Sequence, residues 1–423
     1  MNVRACVTTA KAPAAIAAIR LEGPDAATVL AAIAGARRAA PGATRTLQPG
    51  DLIVTDITDG SETLDQVVIA CPEPGTFDIN CHGNPLIVAA IMRLLNKHGA
   101  KLTSAEQVLR DRLRPRCEDA IELEARMAQF TAATLPGVQL IAAQARTGLA
   151  AAAKHWLASV ETEPLDSIRR QAAEALRLGR LAKPLIHGCT IVLAGPPNSG
   201  KSTLLNALAG RPQAITADIP GTTRDYVTAC CRIGPLSVEF VDTAGLWEGY
   251  HAHEQPRPRA GVSSRDSTLH LDPIDRDAQT AAKELLSNCD LVLHVIDATQ
   301  PGPIEPIPAQ SPVIVVFNKS DLPHRITSKD LAFQPAATAT VSALHAKGLE
   351  DLAQAIQTAL GLADIHAAFG VGSASDVAPE AEGRLPVPFT TRQTTLLNRL
   401  TTATDESECK SLIKQLLTAP LTL

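Results

Sequence analysis

Eight residues near the middle of the chain have the types and the spacing of a phosphate-binding loop. The run Gly195-Pro196-Pro197-Asn198-Ser199-Gly200-Lys201-Ser202 fits the pattern G-x-x-x-x-G-K-[ST]. Glycines let the backbone curve so that successive N–H groups point at phosphate oxygens. We expect Lys201 to act in catalysis by placing its charge against the β- and γ-phosphates of a nucleotide, and the hydroxyl of Ser202 to ligate Mg²⁺.

This loop needs a strand before it and a helix after it. The apolar run Thr190–Ala194 predicts the strand, and Thr203–Ala209 predicts the helix. The N-terminus of that helix adds positive potential where the phosphates would bind. Around Lys201 and Ser202, we expect four further residues to contact the nucleotide: Asn198, Ser199, Gly200 and Thr203.

Two later elements suit the metal ion and the terminal phosphate. Asp242-Thr243-Ala244-Gly245 follows the predicted strand Val238–Val241. Asp242 there can hold Mg²⁺ through water, and the N–H of Gly245 can contact the γ-phosphate. Between this element and the phosphate loop lies Gly221-Thr222-Thr223-Arg224-Asp225, in which we expect the hydroxyl of Thr223 to complete the Mg²⁺ shell.

Two more elements predict recognition of the base. Asn318-Lys319-Ser320-Asp321 follows the apolar run Val313–Phe317, and Ser342-Ala343 follows Ala339–Val341. Asp321 can accept hydrogen bonds from N1–H and the 2-amino group of guanine, which adenine does not offer in this arrangement. A wrong base would leave that carboxylate unpaired, which is costly. Together the elements predict a protein that binds GTP and GDP and hydrolyses GTP.

The residue that orients the attacking water in Ras-like enzymes is absent. That residue is a Gln directly after D-x-x-G, whereas this chain has Leu246, which can neither donate nor accept a hydrogen bond. Charge that develops on the phosphates must then be stabilised by another group. A monovalent cation with oxygen ligands would serve, and the side-chain oxygen of Asn198 lies in the right loop. We therefore expect K⁺ as a second metal ion.

The pattern of apolar runs predicts the organisation of the chain. Residues 1–116 mix short strands and helices and indicate a small α+β domain, with strands at Ala14–Leu21 and Asp65–Cys71 and a helix at Pro85–His98. Residues 117–187 indicate helices. Residues 188–362 alternate short buried strands with helices, which is typical of an α/β domain with a mainly parallel sheet. Residues 363–423 indicate a linker and C-terminal helices, so the P-loop domain is inserted in a helical domain.

Composition limits the classes of protein to consider. The chain has 423 residues and a formal net charge of −5, so it lacks the overall basic character of a nucleic-acid-binding protein. Any tRNA contact would use a local patch. No apolar run approaches the roughly 20 residues of a membrane helix, and we expect no membrane partner. The nine cysteines include no C-x-x-C pair, which is typical of thiols in a reducing compartment and predicts a cytoplasmic protein.

Several stretches resemble the tRNA-modification GTPase family (MnmE, also called TrmE). They are the phosphate loop G-x-P-N-x-G-K-S, Leu204–Arg211, Ile219–Asp225, Asp242–Leu246, Ile19–Pro24 and Cys81–Pro85. The resemblance implies a K⁺-stimulated GTPase that forms a homodimer through its G domains. It also implies a flavin-dependent partner, with which the protein modifies the wobble uridine of tRNA using a folate-derived one-carbon unit. By this resemblance Asn198 is a K⁺ ligand, and Asp275 is the counterpart of a catalytic Glu.

The chain also departs from that family. It ends in Ala419-Pro420-Leu421-Thr422-Leu423, where the family has a C-I-G-K motif, and Cys409 lies in an unrelated context. This difference favours an alternative, a degenerate regulatory GTPase switch without modification chemistry, with truncated C-terminal helices. A ribosome-assembly GTPase is a further alternative, although the chain has neither a second G domain nor a basic domain after the first.

Overall fold

The computed structural model describes residues 2–9, 13–35, 47–210, 227–242, 284–370 and 385–418. These residues form two compact units, one ending at Cys117 and the other beginning at Glu118. Three of the predicted site residues, Thr223, Gly245 and Asp275, lie outside the described residues. Among the residues that are described, no helix has the length and apolar character needed to cross a membrane.

The first unit contains a six-stranded sheet, and its first two helices pack on one face of that sheet. Its elements are β1 (Arg4–Val7), β2 (Ile16–Glu22), α1 (Ala26–Ile33), β3 (Leu52–Asp59), β4 (Glu62–Glu73), β5 (Thr76–His82), α2 (Pro85–Lys97), β6 (Lys101–Leu102) and α3 (Ala105–Leu113), followed by a 3-10 turn at Arg114–Arg116. The strand order is β3-β4-β5-β2-β1-β6, antiparallel except for the pair β1–β6. Alternate residues such as Ile19, Leu21 and Ile79 point into the core, where Leu95 of α2 is fully buried.

The second unit begins with four helices. They are α4 (Ala120–Ala128), α5 (Leu135–Gln144), α6 (Leu149–Ser159) and α7 (Leu165–His187). Thr134 caps α5 by accepting from the N–H of Gly137, and Asp119 caps α4 by accepting from the N–H of Glu122. Residues 120–187 are therefore mainly helical in the structure.

A region of strands and helices that forms one sheet follows in the same unit. It contains β7 (Cys189–Ala194), α8 (Lys201–Ala209), β8 (Val227–Ile233), β9 (Leu236–Asp242), β10 (Leu291–Asp297), β11 (Val313–Asn318), β12 (Ala337–Thr340) and α9 (Leu349–Ala359), with a 3-10 turn at Ser328–Asp330. The order is β12-β11-β10-β7-β9-β8, and all neighbours are parallel except β8 and β9. The parallel strands end at one edge of the sheet, and this edge carries the predicted nucleotide residues.

Helix α7 passes into β7 through a single glycine. Gly188 has φ of +76°, a left-handed conformation that favours glycine, and a Cβ there would lie 3.0 Å from the carbonyl oxygen of Ser237. Lys183 near the end of α7 pairs with Asp290 at 2.9 Å, and the same carboxylate accepts from the N–H of Thr190 in β7 at 2.9 Å. The helix is thus tied to the strand that leads to the phosphate loop.

The predicted linker after residue 362 is partly wrong, because α10 (Leu362–Phe369) is a helix. It starts at Gly361, which has φ of +72°, and Asp364 lies in its first turn. Ile365 is fully buried and Phe369 is partly buried against the same core, a spacing that fits one helical face. The abundance of alanine and glycine around this short helix conceals the periodicity in the sequence.

The last two helices complete the helical core. Helices α11 (Thr391–Leu400) and α12 (Glu406–Leu417) pack with the four earlier helices around the fully buried Trp156. The side-chain oxygen of Gln144 accepts from the N–H groups of Leu149 and Val387, at 2.8 and 2.9 Å. These contacts bring residues from before and after the α/β sheet into one core, which agrees with a P-loop domain inserted in a helical one.

Candidate nucleotide site

The backbone of the phosphate loop requires glycine at two positions. Gly195 has φ of +141°, and a Cβ there would lie 2.1 Å from the carbonyl oxygen of Val295. Gly200 has φ of +93°, and a Cβ there would lie 2.2 Å from Nδ2 of Asn318. Any side chain at these positions would force the loop away from the neighbouring strands. The two glycines of the motif therefore set the close packing of the loop against β10 and the end of β11.

Lys201 is buried beneath this loop. Its side chain donates from Nζ to the carbonyl oxygens of Gly195 and Pro196, each at 2.9 Å, and the residue is 5% exposed. These bonds direct the ammonium group back toward the start of the loop. Phosphate contact by Lys201 stays a prediction, but the side chain is already aligned with the loop that would receive the phosphates.

Ser202 and Asp242 are brought together, although forty positions separate them in the chain. The hydroxyl of Ser202 donates to Oδ2 of Asp242 at 2.6 Å. Asp242 is 4% exposed, and among the described residues its buried Oδ1 has no hydrogen-bond partner. A buried acceptor without a donor is costly. An oxygen pair of this kind fits a hard cation such as Mg²⁺, which prefers carboxylate, hydroxyl and water oxygens.

Asn318 connects three parts of the site. Its Nδ2 donates to the carbonyl oxygen of Ser199 at 2.9 Å, and its Oδ1 accepts from the N–H of Ala343 at 3.0 Å and of Lys319 at 2.8 Å. The residue is 2% exposed. Because one buried amide joins the phosphate loop to both base-recognition elements, those elements hold a fixed spacing relative to each other.

The predicted base-recognition residues also lie together. The hydroxyl of Ser342 donates to Oδ1 of Asp321 at 2.5 Å, and Nε2 of His345 lies 3.9 Å from Oδ2. The hydrogen bond from Ser342 lowers the pKa of the Asp321 carboxyl below its ordinary value. Asp321 is therefore a carboxylate at neutral pH and can accept two donors from a base. This is the electrostatic state that guanine recognition needs.

Asn198, the predicted K⁺ ligand, is exposed at the tip of the loop and has φ of +61°. Within the described part of the chain no hydrogen bond involves its side chain, so the amide oxygen is available to a ligand. Left-handed φ is uncommon for a residue other than glycine, although Asn adopts it more readily than most. Thr203, by contrast, lies in the first turn of α8 and is exposed.

The sequence analysis missed one residue at this edge, Asp297. It ends β10, and its Oδ2 accepts from Nζ of Lys319 at 2.6 Å. Burial raises the pKa of this carboxyl, but hydrogen bonds from Lys319 and Thr299 lower it by more. The sequence does contain a signal for this residue. Asp297 is an acid at the carboxyl end of a predicted strand, and that strand lies beside the strands that carry the other motifs.

A second set of polar side chains lies in the first unit, on the sheet face opposite its core. Arg20 makes two hydrogen bonds to Asp78, at 2.7 and 2.8 Å. Glu22 accepts from Arg4 at 2.6 Å and from Arg112 at 2.7 Å. These charges are paired with one another, and we call this set the ion-pair face.

Comparisons with known proteins agree with both units. The family described as "50S ribosome-binding GTPase" matches residues 190–319, and the family described as "GTP-binding protein TrmE N-terminus" matches residues 3–107. The first range contains the phosphate loop and ends within the base-recognition element. The second covers almost all of the six-stranded sheet unit.

Two curated relatives align along most of the chain. The tRNA modification GTPase MnmE of Nitratidesulfovibrio vulgaris (strain DP4) is 30% identical over 441 aligned residues, covering 95% of this chain and 88% of that protein. The MnmE of Methylorubrum populi is 32% identical, covering 81% of this chain and 77% of that protein. Among solved structures, the G domain of the T. maritima FeoB iron transporter is 23% identical to this chain. The match covers 40% of this chain and 98% of that one, with a TM-score of 0.27.

Proposed function

We propose that this chain, which belongs to the MnmE family of tRNA modification GTPases, hydrolyses GTP to drive modification of the wobble uridine of tRNA. The observation that carries the proposal is the joint arrangement of the phosphate loop, the Ser202–Asp242 pair and the Asp321–Ser342 pair at one sheet edge. One buried amide, that of Asn318, links two of these parts. A site with phosphate, metal and guanine specificity on one rigid edge suits GTP and GDP.

In this proposal each described residue has a definite task. Backbone N–H groups of Asn198 to Gly200 and the ammonium of Lys201 bind the β- and γ-phosphates, and Asp321 with Ser342 and Ala343 selects guanine. Ser202 and Asp242 would hold Mg²⁺, directly or through water, with Thr223 as a further ligand. Mg²⁺ in such sites neutralises charge that develops on the phosphates. Gly245 would contact the γ-phosphate through its N–H.

We further propose that Asn198 ligates K⁺ beside the phosphates and that Asp275 acts on the attacking water. Leu246 cannot orient water, so hydrolysis needs another group. The support for K⁺ is the amide of Asn198, which is exposed and has no hydrogen-bond partner among the described residues, together with its left-handed φ of +61°. Asp275→Ala should lower kcat while leaving the Kd for GTP unchanged, as expected of a group used only in the transition state.

The partners follow from the same proposal. They are tRNA, a flavin-dependent enzyme and a second copy of this chain that docks through its G domain. The site of action is the cytoplasm. A tRNA is a soluble substrate, and the cysteines of this chain are typical of proteins in a reducing compartment.

A second candidate, a GTP-dependent switch without modification chemistry, is favoured by the environment of Cys409. This residue is fully buried in α12, and burial raises the pKa of its thiol. A buried neutral thiol is inert as a nucleophile. Cys409 is therefore unsuited to act as a nucleophile, so Cys409→Ser should leave any modification of uridine intact.

The test is mass spectrometry of wobble nucleosides from total tRNA of cells that lack the gene. We expect the modified nucleoside to disappear on deletion, to return with the wild-type gene and to stay absent with Lys201→Ala, provided that the variant accumulates to the same level. Unchanged nucleosides in the deletion strain would reject the modification role. If nucleosides are unchanged in the deletion strain but the purified protein hydrolyses GTP, the GTP-dependent switch is favoured.

A further inference from the structure

Asp297 lies outside the nucleotide-binding motifs predicted from the sequence, yet both of its carboxylate oxygens accept hydrogen bonds. Its Oδ2 accepts from Nζ of Lys319 at 2.6 Å, while its Oδ1 accepts from the N–H and the hydroxyl of Thr299, at 3.0 and 2.6 Å. The Asp297 side chain is 16% exposed and that of Lys319 is 34% exposed. Both carboxylate oxygens therefore have fixed donors, and the ion pair is largely shielded from solvent.

Lys319 leaves the end of β11 in an unusual conformation. Its φ is +64°, a left-handed value that is uncommon for a residue other than glycine. The parallel register of the strands places Asn318 opposite Asp297, so Lys319 is the first residue beyond the paired segment. A flexible lysine side chain loses rotamer entropy on being ordered, and the ion pair with Asp297 offsets part of that cost.

The pair lies beside the phosphate loop. Asp297 and Lys319 line one cavity of about 830 Å³, and residues 196–199 of the phosphate loop line the same cavity. Lys319 is also adjacent to Asn318, whose amide bonds to Ser199 in that loop. Lys319, which belongs to the base-recognition element, thus lines the same cavity as the phosphate loop.

We propose that Asp297 is a positioning residue for nucleotide binding, which holds the side chain of Lys319 in its binding conformation beside the phosphate loop. This inference rests on the proposed nucleotide site. Both partners of the Lys319–Asp297 pair belong to this chain, and holding Lys319 in one conformation acts by preorganisation, which removes an ordering cost from binding. An interaction that is equal in the ground state and the transition state changes affinity and leaves kcat unaltered.

The test is Asp297→Asn, which keeps the size of the side chain and an acceptor for Thr299 but removes the charge that holds Lys319. We expect the Kd of a fluorescent GDP analogue and the KM for GTP to rise roughly five- to tenfold. We expect kcat at saturating GTP to change less than twofold. In a Lys319→Ala background, Asp297→Asn should add no further loss of affinity, because the positioned group is gone.

The matched control is Asp290→Asn. Asp290 makes the same kind of ion pair, with Lys183 at 2.9 Å, and lies next to the opposite end of β10. Its variant should leave nucleotide affinity unchanged, and thermal unfolding of both variants without nucleotide measures any general loss of stability. If Asp297→Asn loses affinity only as far as Asp290→Asn does, the role is structural and the inference is wrong.

The remaining outcomes are equally decisive. Unchanged affinity in Asp297→Asn would overturn the inference, as would an equal loss in the Lys319→Ala background. A fall in kcat at constant KM would assign Asp297 to the chemical step instead. If the wild-type protein fails to bind the GDP analogue at all, the nucleotide site itself is rejected, which is a different result.

Discussion

Two groups of polar side chains among the described residues are built in opposite ways. At the edge of the parallel sheet, several polar atoms point at one loop, and Oδ1 of Asp242 lacks a donor among the described residues. On the ion-pair face of the antiparallel sheet, Arg20 and Asp78 satisfy each other with two bonds. Glu22 likewise has two arginine partners.

This difference determines which existing bonds a ligand must displace in order to bind each surface. At the parallel edge a ligand can supply a partner that the described residues do not, because Oδ1 of Asp242 has none among them. On the ion-pair face a charged ligand must first displace an arginine or a carboxylate from its partner, which offsets part of the gain. We therefore expect substitutions at the parallel edge to have much larger effects on activity.

The largest effect is expected from Lys201→Ala. Removing a charge aimed at the developing negative charge of the transition state should lower kcat for GTP by about 100-fold or more. Single-turnover hydrolysis measures this directly, with circular dichroism to show that the variant is folded. Near-wild-type turnover would show that a substitution at the parallel edge affects hydrolysis no more than one on the ion-pair face.

A smaller effect is expected from Asp321→Asn. An amide can pair with the 2-oxo group of xanthine but no longer accepts two donors from guanine. The ratio of KM values for GTP and xanthosine triphosphate should shift by about tenfold or more toward xanthosine triphosphate. Competition binding with both nucleotides provides the measurement, and an unchanged ratio would remove Asp321 from base recognition.

A several-fold effect is expected from the choice of salt. Turnover should be faster in KCl than in NaCl at equal ionic strength, because the larger ion suits the exposed oxygen of Asn198. Asn198→Ala should abolish the difference between the salts without unfolding the protein. Equal rates for the wild type in both salts would reject the K⁺ site.

The smallest effect on turnover is expected from Asp78→Asn on the ion-pair face. Loss of a partly exposed ion pair should lower the free energy of unfolding of the first unit by about 1 kcal/mol or less. GTP turnover should stay within the error of the assay. A large fall in turnover would mean that the comparison between the two surfaces is wrong, and that the first unit takes part in hydrolysis.

The sequence analysis predicted the parts of the site that depend on local rules. The phosphate loop needs glycine at two backbone positions, and the base-recognition residues each follow a buried apolar run, so spacing alone revealed them. Helix α10 was missed because its apolar face is only three residues long. Asp297 was missed because its importance depends on a neighbour in the sheet and not on any neighbour in the chain.

The single glycine between α7 and β7 couples the direction of a long helix to the position of a short strand. The helix has 23 residues, and at about 1.5 Å per residue it is roughly 34 Å long. The strand on the other side of Gly188 has only six residues before the phosphate loop begins. Because Lys183 and Thr190 both bond to Asp290, the orientation of the whole helix is set by a short segment beside the phosphate loop.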